Sequence, residues 1–229
     1  MKTEKPVTLA HFFDKMIHEN PKQVISTFKD EINVFTIDEL NHKANLLAKG
    51  LVYIGVGKGT PVALVLSGTT NCLTFVVALS KIAAVVVPLS NDIDAYKFSN
   101  ILKIGKINTV GFYADQFLER FKKVIPNYLE SERGYINNST FPNLKNVVTF
   151  GSIKNRGIFT TRELMLLGEH TDDFEIEELS AHISLDDVFI RSFSYNQKNK
   201  LIITETTHGD IINEHFSISA LQNFILNAV

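Results

Sequence analysis

Apolar residues at Leu9, Phe12, Phe13, Met16 and Ile17 recur at helical spacing, so residues 8–19 predict a helix that Pro21 closes. Two β-type runs follow, at residues 23–29 and 32–36, and Asp30 and Glu31 between them predict a hairpin. The clearest helix comes next. Thr36 and Glu39 stand three apart as a capping box, Ile37, Leu40, Ala44, Leu47, Leu51 and Ile54 form one stripe, and Gly55 occupies a C-terminal glycine position. Residues 61–67 are almost continuously apolar over a strand's length, the pattern of a strand covered on both faces. The alternation then repeats, with helices at 69–82, 92–104 and 115–124 and strands at 84–89, 108–113 and 146–151.

Alternation of this kind predicts an α/β fold, a mostly parallel sheet with helices on both faces and right-handed crossovers. Residues 126–144 are polar and turn-rich and read as an exposed excursion. A short helix is expected at 161–167, two strands at 187–194 and 201–207, and a helix from about 209 to the C-terminus. No fixed-period repeat and no Ser/Gly/Pro-rich linker divides the chain, so residues 1–229 read as one domain.

Composition narrows the function classes. The 229 residues are 45% hydrophobic and 21% charged, with a formal charge of −2, and Lys and Arg are scattered. A nucleic-acid partner is not expected. One cysteine, Cys72, excludes an intrachain disulfide and fits a reducing cytoplasm. The N-terminal sequence lacks a secretory pattern. The apolar stretch 72–89 contains Ser80, Lys81 and Pro88 and changes texture midway, so it reads as helix and strand, with no membrane span.

Several strings together resemble the opening of adenylate-forming enzymes, the superfamily of acyl-CoA synthetases, peptide-synthetase adenylation domains and luciferases. Thr36, Glu39 and Leu40 match the family's helix start. Gly55, Val56, Gly59, Val62 and Ala63 match its Gly-Val-x-x-Gly-Asp-x-Val-Ala turn and strand, and Lys81, Ala84, Pro88 and Leu89 its Lys-x-Gly-Ala-x-x-x-Pro-Leu strand. Thr60 replaces the usual Asp and Ala83 the usual Gly. The resemblance implies the fold of the N-terminal subdomain of acyl-CoA synthetases.

The same register reaches the family's phosphate loop, Thr-Ser-Gly-Thr-Thr-Gly-x-Pro-Lys. Asp186 and Asp187 precede the strand, Phe193 takes an aromatic position, and His208 follows fifteen residues later, with Asp210 and Asn213 in the places of two asparagines. Between these anchors Ser194 alone keeps the signature. Asn196 and Asn199 stand where glycines belong, Leu201 where the proline belongs and Ile202 where the lysine belongs. Glycines let backbone N–H groups converge on phosphate oxygens, and lysine adds charge. Asn tolerates left-handed dihedrals, so Asn196 and Asn199 can keep the turn without keeping the nest of donors.

The candidate binding residues implied by this register are therefore Ser194, Asn196, Lys198 and Asn199 of a degenerate phosphate loop, and His208, which in the family lies near the acyl pocket. Capping or packing at a strand–helix junction is the other reading of His208. Ser67-Gly68-Thr69-Thr70 spells the core of the same signature but sits at a different strand–helix turn, where an N-cap explains it. The acidic run Asp172, Asp173, Glu175, Glu177 and Glu178 reads as a solvated face rather than a metal site.

In the family, ATP and a carboxylate give an acyl-adenylate, with magnesium, before transfer to coenzyme A or a carrier-protein pantetheine. The resemblance implies that the adenine- and ribose-binding segments and the catalytic lysine lie beyond residue 229. No catalytic residue and no cofactor is expected for this chain alone. A homodimer, or a protein partner, is expected over the face that the rest of the family's protein would cover.

Overall fold

The computed structural model describes residues 8–25, 35–67, 69–113, 115–151, 155–171, 173–198 and 200–212, with residues 217, 220, 221 and 223 beyond them. Helix α1, Leu9–Glu19, starts at Thr8, whose hydroxyl accepts from the His11 N–H. Strands β1, Val24–Ile25, and β2, Phe35–Thr36, pair antiparallel, as the hairpin reading requires; the turn between them lies outside the described residues. Helix α2, Ile37–Tyr53, carries the full capping box of Thr36 and Glu39. Gly55 has φ +83°, the left-handed geometry that lets the chain leave the helix.

Four parallel strands follow in helix-separated order: β3, Pro61–Val65, then α3, Thr70–Lys81; β4, Val85–Leu89, then α4, Ala95–Ile104; β5, Thr109–Phe112, then α5, Asp115–Val124; and β6, Asn146–Thr149. Strand β7, Phe159–Thr160, adds a short parallel edge and leads into α6, Thr161–Gly168, capped by a second box of Thr160 and Glu163. Helix α7 covers Asp173–Ala181. Strands β8, Val188–Tyr195, and β9, Leu201–Thr207, form an antiparallel hairpin, followed by α8, His208–Ile211. The sheet order is β7-β6-β5-β3-β4-β8-β9.

Helices cover both faces, as the alternation predicts. Along β3, Val62 and Leu64 join a core with α1, α2 and α3, whereas Ala63 and Val65 join a second core with α4 and α5. The period-2 geometry of a strand explains how one apolar run serves both. Pro88 tolerates its place because β4 pairs fully with β3 but meets β8 at Val86↔Ile190 alone, so a ladder donor is not required there.

Two sequence expectations are corrected. Residues 126–144 are not an exposed excursion: after a 3-10 turn at Pro126–Glu130, Tyr128, Ile136, Phe141 and Leu144 are buried in the second core and anchor the segment. The acidic stretch contains α7, on which Glu177 and Glu178 are exposed, in keeping with a solvated face, while Ile176 reaches the first core. The last helix does not run on from residue 209, because Ile212 leaves helical geometry at φ −84°, ψ 97° and packs with Ile211 against the first core. Helical backbone returns at Ala220, Leu221 and Asn223, with Leu221 buried.

Both departures from the family pattern near β3 keep the local backbone. Thr60 Oγ1 accepts from the Gly57 N–H at 3.1 Å, supplying the acceptor an Asp would. Ala83 adopts φ +51° where the pattern has glycine, held by the Gly59 N–H to Ala83 carbonyl bond of 2.8 Å. Lys106 is a second non-glycine in this region, φ +49°, at the exposed exit of α4. Left-handed backbone costs an L-residue roughly 1–2 kcal/mol. Lys106→Gly is therefore expected to raise the unfolding free energy by about 0.5 kcal/mol after the entropy cost of glycine, read as a higher urea midpoint.

Helices α2 and α6 approach through glycines. A Cβ on Gly50 would lie 2.0 Å from the Leu164 carbonyl oxygen, and one on Gly168 would lie 2.0 Å from that of Leu46. Among the described residues no helix is long and apolar enough to cross a membrane.

Candidate functional site

The β8–β9 hairpin carries the residues that the sequence singles out. Its strands are held in register from Tyr195↔Leu201 to Ile190↔Thr206, with a shift between Val188 and Ile190. Arg191 Nε and Glu205 Oε1 form an ion pair across it at 2.7 Å. Phe193 packs on the second core beside α4, close to Gly105, and fixes the hairpin's orientation.

Ser194 is exposed on β8 opposite Ile202. It borders a cavity of about 480 Å³ lined also by Pro88, Ser90, Asp94, Lys97 and Tyr195. This cavity sits where β4 ends, at the carboxyl end of a parallel strand, a common place for ligands in α/β sheets. Lys97 Nζ lies 5.7 Å from the Tyr195 ring centre and 3.4 Å from Asp94, so its charge is shared between a π-face and a carboxylate.

Asn196 closes the loop on itself. Its Oδ1 accepts from the backbone N–H groups of Lys198, at 3.0 Å, and Lys200, at 2.9 Å, while its own N–H donates to the Lys200 carbonyl at 3.0 Å. The ability of Asn to bond its own backbone two residues on is the property that makes it a turn residue. Lys198 is exposed, and Asn199 lies outside the described residues. Ile202, in the register position of the family's lysine, is 44% exposed.

His208 is not part of this cluster. It stands at the opposite end of β9, about 20 Å of extended chain from the loop. The side chain is fully buried, its ring centre 5.0 Å from that of Phe189, and neither ring nitrogen has a hydrogen-bond partner. Burial pulls its pKa down to about 4, and the nearby Asp187 carboxylate only partly opposes this. Asp187 itself accepts from the Ser184 N–H and pairs with Lys58 at 2.7 Å. Burial pushes the Asp187 carboxyl up, but the Lys58 and Ser184 hydrogen bonds outweigh it and hold the group below the ordinary range.

Asp210 completes a capping box with Thr207 at the start of α8, a role its spacing shows in retrospect. Asn213 lies outside the described residues. At the other signature-like string, Thr69 is the N-cap of α3 and accepts from the Cys72 N–H at 3.2 Å; Gly68 lies outside the described residues. Cys72 is buried, which pushes its thiol up to about 11 and leaves it unreactive. Arg191, Glu205, Lys97 and Tyr195 escape a sequence reading because their pairing depends on hairpin register and on how α4 crosses it.

A family model described as AMP-binding enzyme matches residues 13–130, just over half of the chain. The acyl-CoA synthetase, so named, YngI of Bacillus subtilis (strain 168) is 21% identical over 216 residues, which are 93% of this chain and 39% of that protein. The acyl-CoA ligase, so named, YdaB of the same organism is 30% identical over 120 residues, 52% of this chain and 23% of that one. Among solved structures, the anthranilate CoA ligase AuaEII in complex with anthranoyl-AMP superposes with a TM-score of 0.73 at 14% identity, over 89% of this chain and 35% of that one. The N-terminal subdomain of Klebsiella oxytoca NpsA, in complex with 3-hydroxybenzoyl-AMSN, gives a TM-score of 0.59 at 16% identity, over 91% of this chain and 43% of that one. The chain thus spans less than half the length of these relatives.

Proposed function

Since the chain belongs to the AMP-binding enzyme family, we propose that it is an acyl-CoA-synthetase-like N-terminal domain that cannot by itself activate a carboxylate with ATP. The observation that carries this reading is the closed Tyr195–Lys200 loop. A phosphate site needs convergent backbone donors that are free until the anion arrives. Here the N–H groups of Lys198 and Lys200 already point at the amide oxygen of Asn196, which stands in for an anion. Ile202 adds no charge where the register calls for a lysine, and Lys198 is solvated. The described residues of the loop therefore do not fit a phosphate, and no step of phosphate chemistry is assigned to them.

His208, with its buried and uncharged ring, is assigned to packing between Phe189 and α8 rather than to an acyl ligand. A reducing compartment, the cytoplasm, suits the single inert thiol. Among the described residues β9 ends the sheet order, which supports the expectation that further polypeptide covers this side, either a second copy or a partner protein.

Carboxylate-dependent ATP–pyrophosphate exchange by the purified chain is expected to be absent. In thermal-shift measurements ATP and AMP are expected to leave the melting point unchanged. A ligand at a hundred times its Kd would contribute about 2.7 kcal/mol, a shift of several degrees for a chain of this size. Measurable exchange would overturn the reading. A shift with acyl-CoA alone would instead assign the chain a residual acyl site and no adenylation.

A further inference from the structure

We propose that the cleft where α1, α2 and α7 meet the end of α3 binds a small zwitterion, a molecule with one carboxylate and one ammonium group. The cleft holds about 660 Å³, a volume typical of small-molecule sites. It lies on the first-core side of the sheet, across from the cavity beside Lys97, and none of its residues belongs to the degenerate loop.

The floor is cationic. Lys49, in the body of α2, and Lys81, in the last turn of α3, are 5% and 4% exposed. Lysine seldom sits this deep unless an anion accompanies it. Lys81 Nζ donates to Asp14 Oδ1 at 3.1 Å, but Asp14 is itself about half exposed, and an ammonium carries three N–H donors. Two buried ammonium groups lining one cleft favour a carboxylate there, because attraction that water would screen is stronger out of water.

Asn45 and the rim supply the opposite pole. Asn45 stands one turn before Lys49 on the same face of α2, and its Oδ1 is buried without a hydrogen-bond partner. A buried acceptor left unpaired is costly, and an N–H donor entering the cleft would satisfy it. At the mouth Glu169 and Glu177 are exposed, and among the described residues neither makes an ion pair. These carboxylates attract an ammonium and repel a second anionic group, so a dianion is disfavoured while a zwitterion has a partner for each charge. Leu46 and Ile176 are the apolar residues among the described lining. An acyl chain or an aromatic ring would therefore lie against charged groups and strip them of water.

Titration of the whole chain with free glycine, γ-aminobutyrate and ε-aminocaproate tests the assignment, with butyrate and butylamine as single-charge controls. At ten times its Kd, at least one of the zwitterions is expected to raise the melting point by about 3 °C, and neither control is expected to move it. Glu177→Gln, at an exposed position, is expected to keep the fold and weaken binding by about threefold in calorimetric titration. Asn45→Leu replaces the unpaired acceptor with an apolar group of similar size. The ligand-free variant is expected to melt no lower than wild type, while its affinity falls by about tenfold.

No shift with any of the three zwitterions, an equal shift with butyrate, or unchanged affinity in both variants would each overturn the proposal. Pyrophosphate exchange by the wild-type chain would instead sink the functional reading and leave this site standing.

Discussion

Replacing Gly50 by alanine is expected to destabilise the protein by about 3 kcal/mol, lowering the melting point by about 6–12 °C. In an isolated helix the same change would stabilise, since alanine exceeds glycine in helix propensity by about 1 kcal/mol. The sign reverses because the added methyl would sit 2.0 Å from the Leu164 carbonyl oxygen, a backbone atom that no rotamer change can move. Helices α2 and α6 would have to separate, and each buries its apolar face against the other: Leu47 and Leu51 on one side, Leu164 on the other. Gly168→Ala repeats the experiment from the opposite helix, against the Leu46 carbonyl, and is expected to match it. Gly57, which has nothing within 4 Å of its Cβ position, is the control; Gly57→Ala is expected to stay within about 0.5 kcal/mol of wild type. Denaturant melts of the three variants check all of this. Equal stability of Gly50→Ala and wild type would mean that the two helices do not cross at contact distance.

The second large effect is acid sensitivity through His208. Its folded pKa of about 4 lies below the ordinary value of 6.5, so between these limits the unfolded chain binds more protons than the folded one. Stability is therefore complete above pH 6.5 and is lost as pH falls from 6.5 to 4. The loss amounts to about 3 kcal/mol over that window, at 1.36 kcal/mol per pKa unit. His208→Phe keeps a ring against Phe189 and removes the titration. It is expected to hold its urea midpoint between pH 7 and pH 4.5 while the wild type falls. Asp187 carries stability of its own in the opposite sense of charge. Its depressed carboxyl contributes above the ordinary carboxylate pKa and is lost only at lower pH, below the window of His208. Parallel losses in wild type and variant across pH 4–6.5 would show that other groups carry the dependence.

Much of the fold is legible where local chemistry and periodicity agree. Thr36 and Glu39 state the start of α2, Gly55 its end, and the unbroken apolar run at β3 states that both faces are covered. Between residues 126 and 144 the same logic fails. Tyr128, Ile136, Phe141 and Leu144 are too irregularly spaced to form a stripe, and only the second core beside α5 gives them a common destination. The α2–α6 crossing is illegible for a different reason. Gly50 and Gly168 read along the chain as weak helix positions, and their use appears only when a second backbone comes within contact distance. At the site, the missing glycines could be read from Asn196 and Asn199, but not where the freed donors would go. That the Asn196 side chain takes two of them is a property of the folded turn.

Pro88 has a further effect on how the molecule comes apart. Without a donor there, the seam between β4 and β8 is reduced to Val86↔Ile190, whereas β3 and β4 are joined over five residue pairs. The ladder is consequently thinner at this join than between β3 and β4, while Phe189 and Ile190 still tie β8 to the first core by packing. Partial opening is expected to release β8 and β9 together as a ribbon that keeps its own ladder, while the five strands from β7 to β4 remain closed.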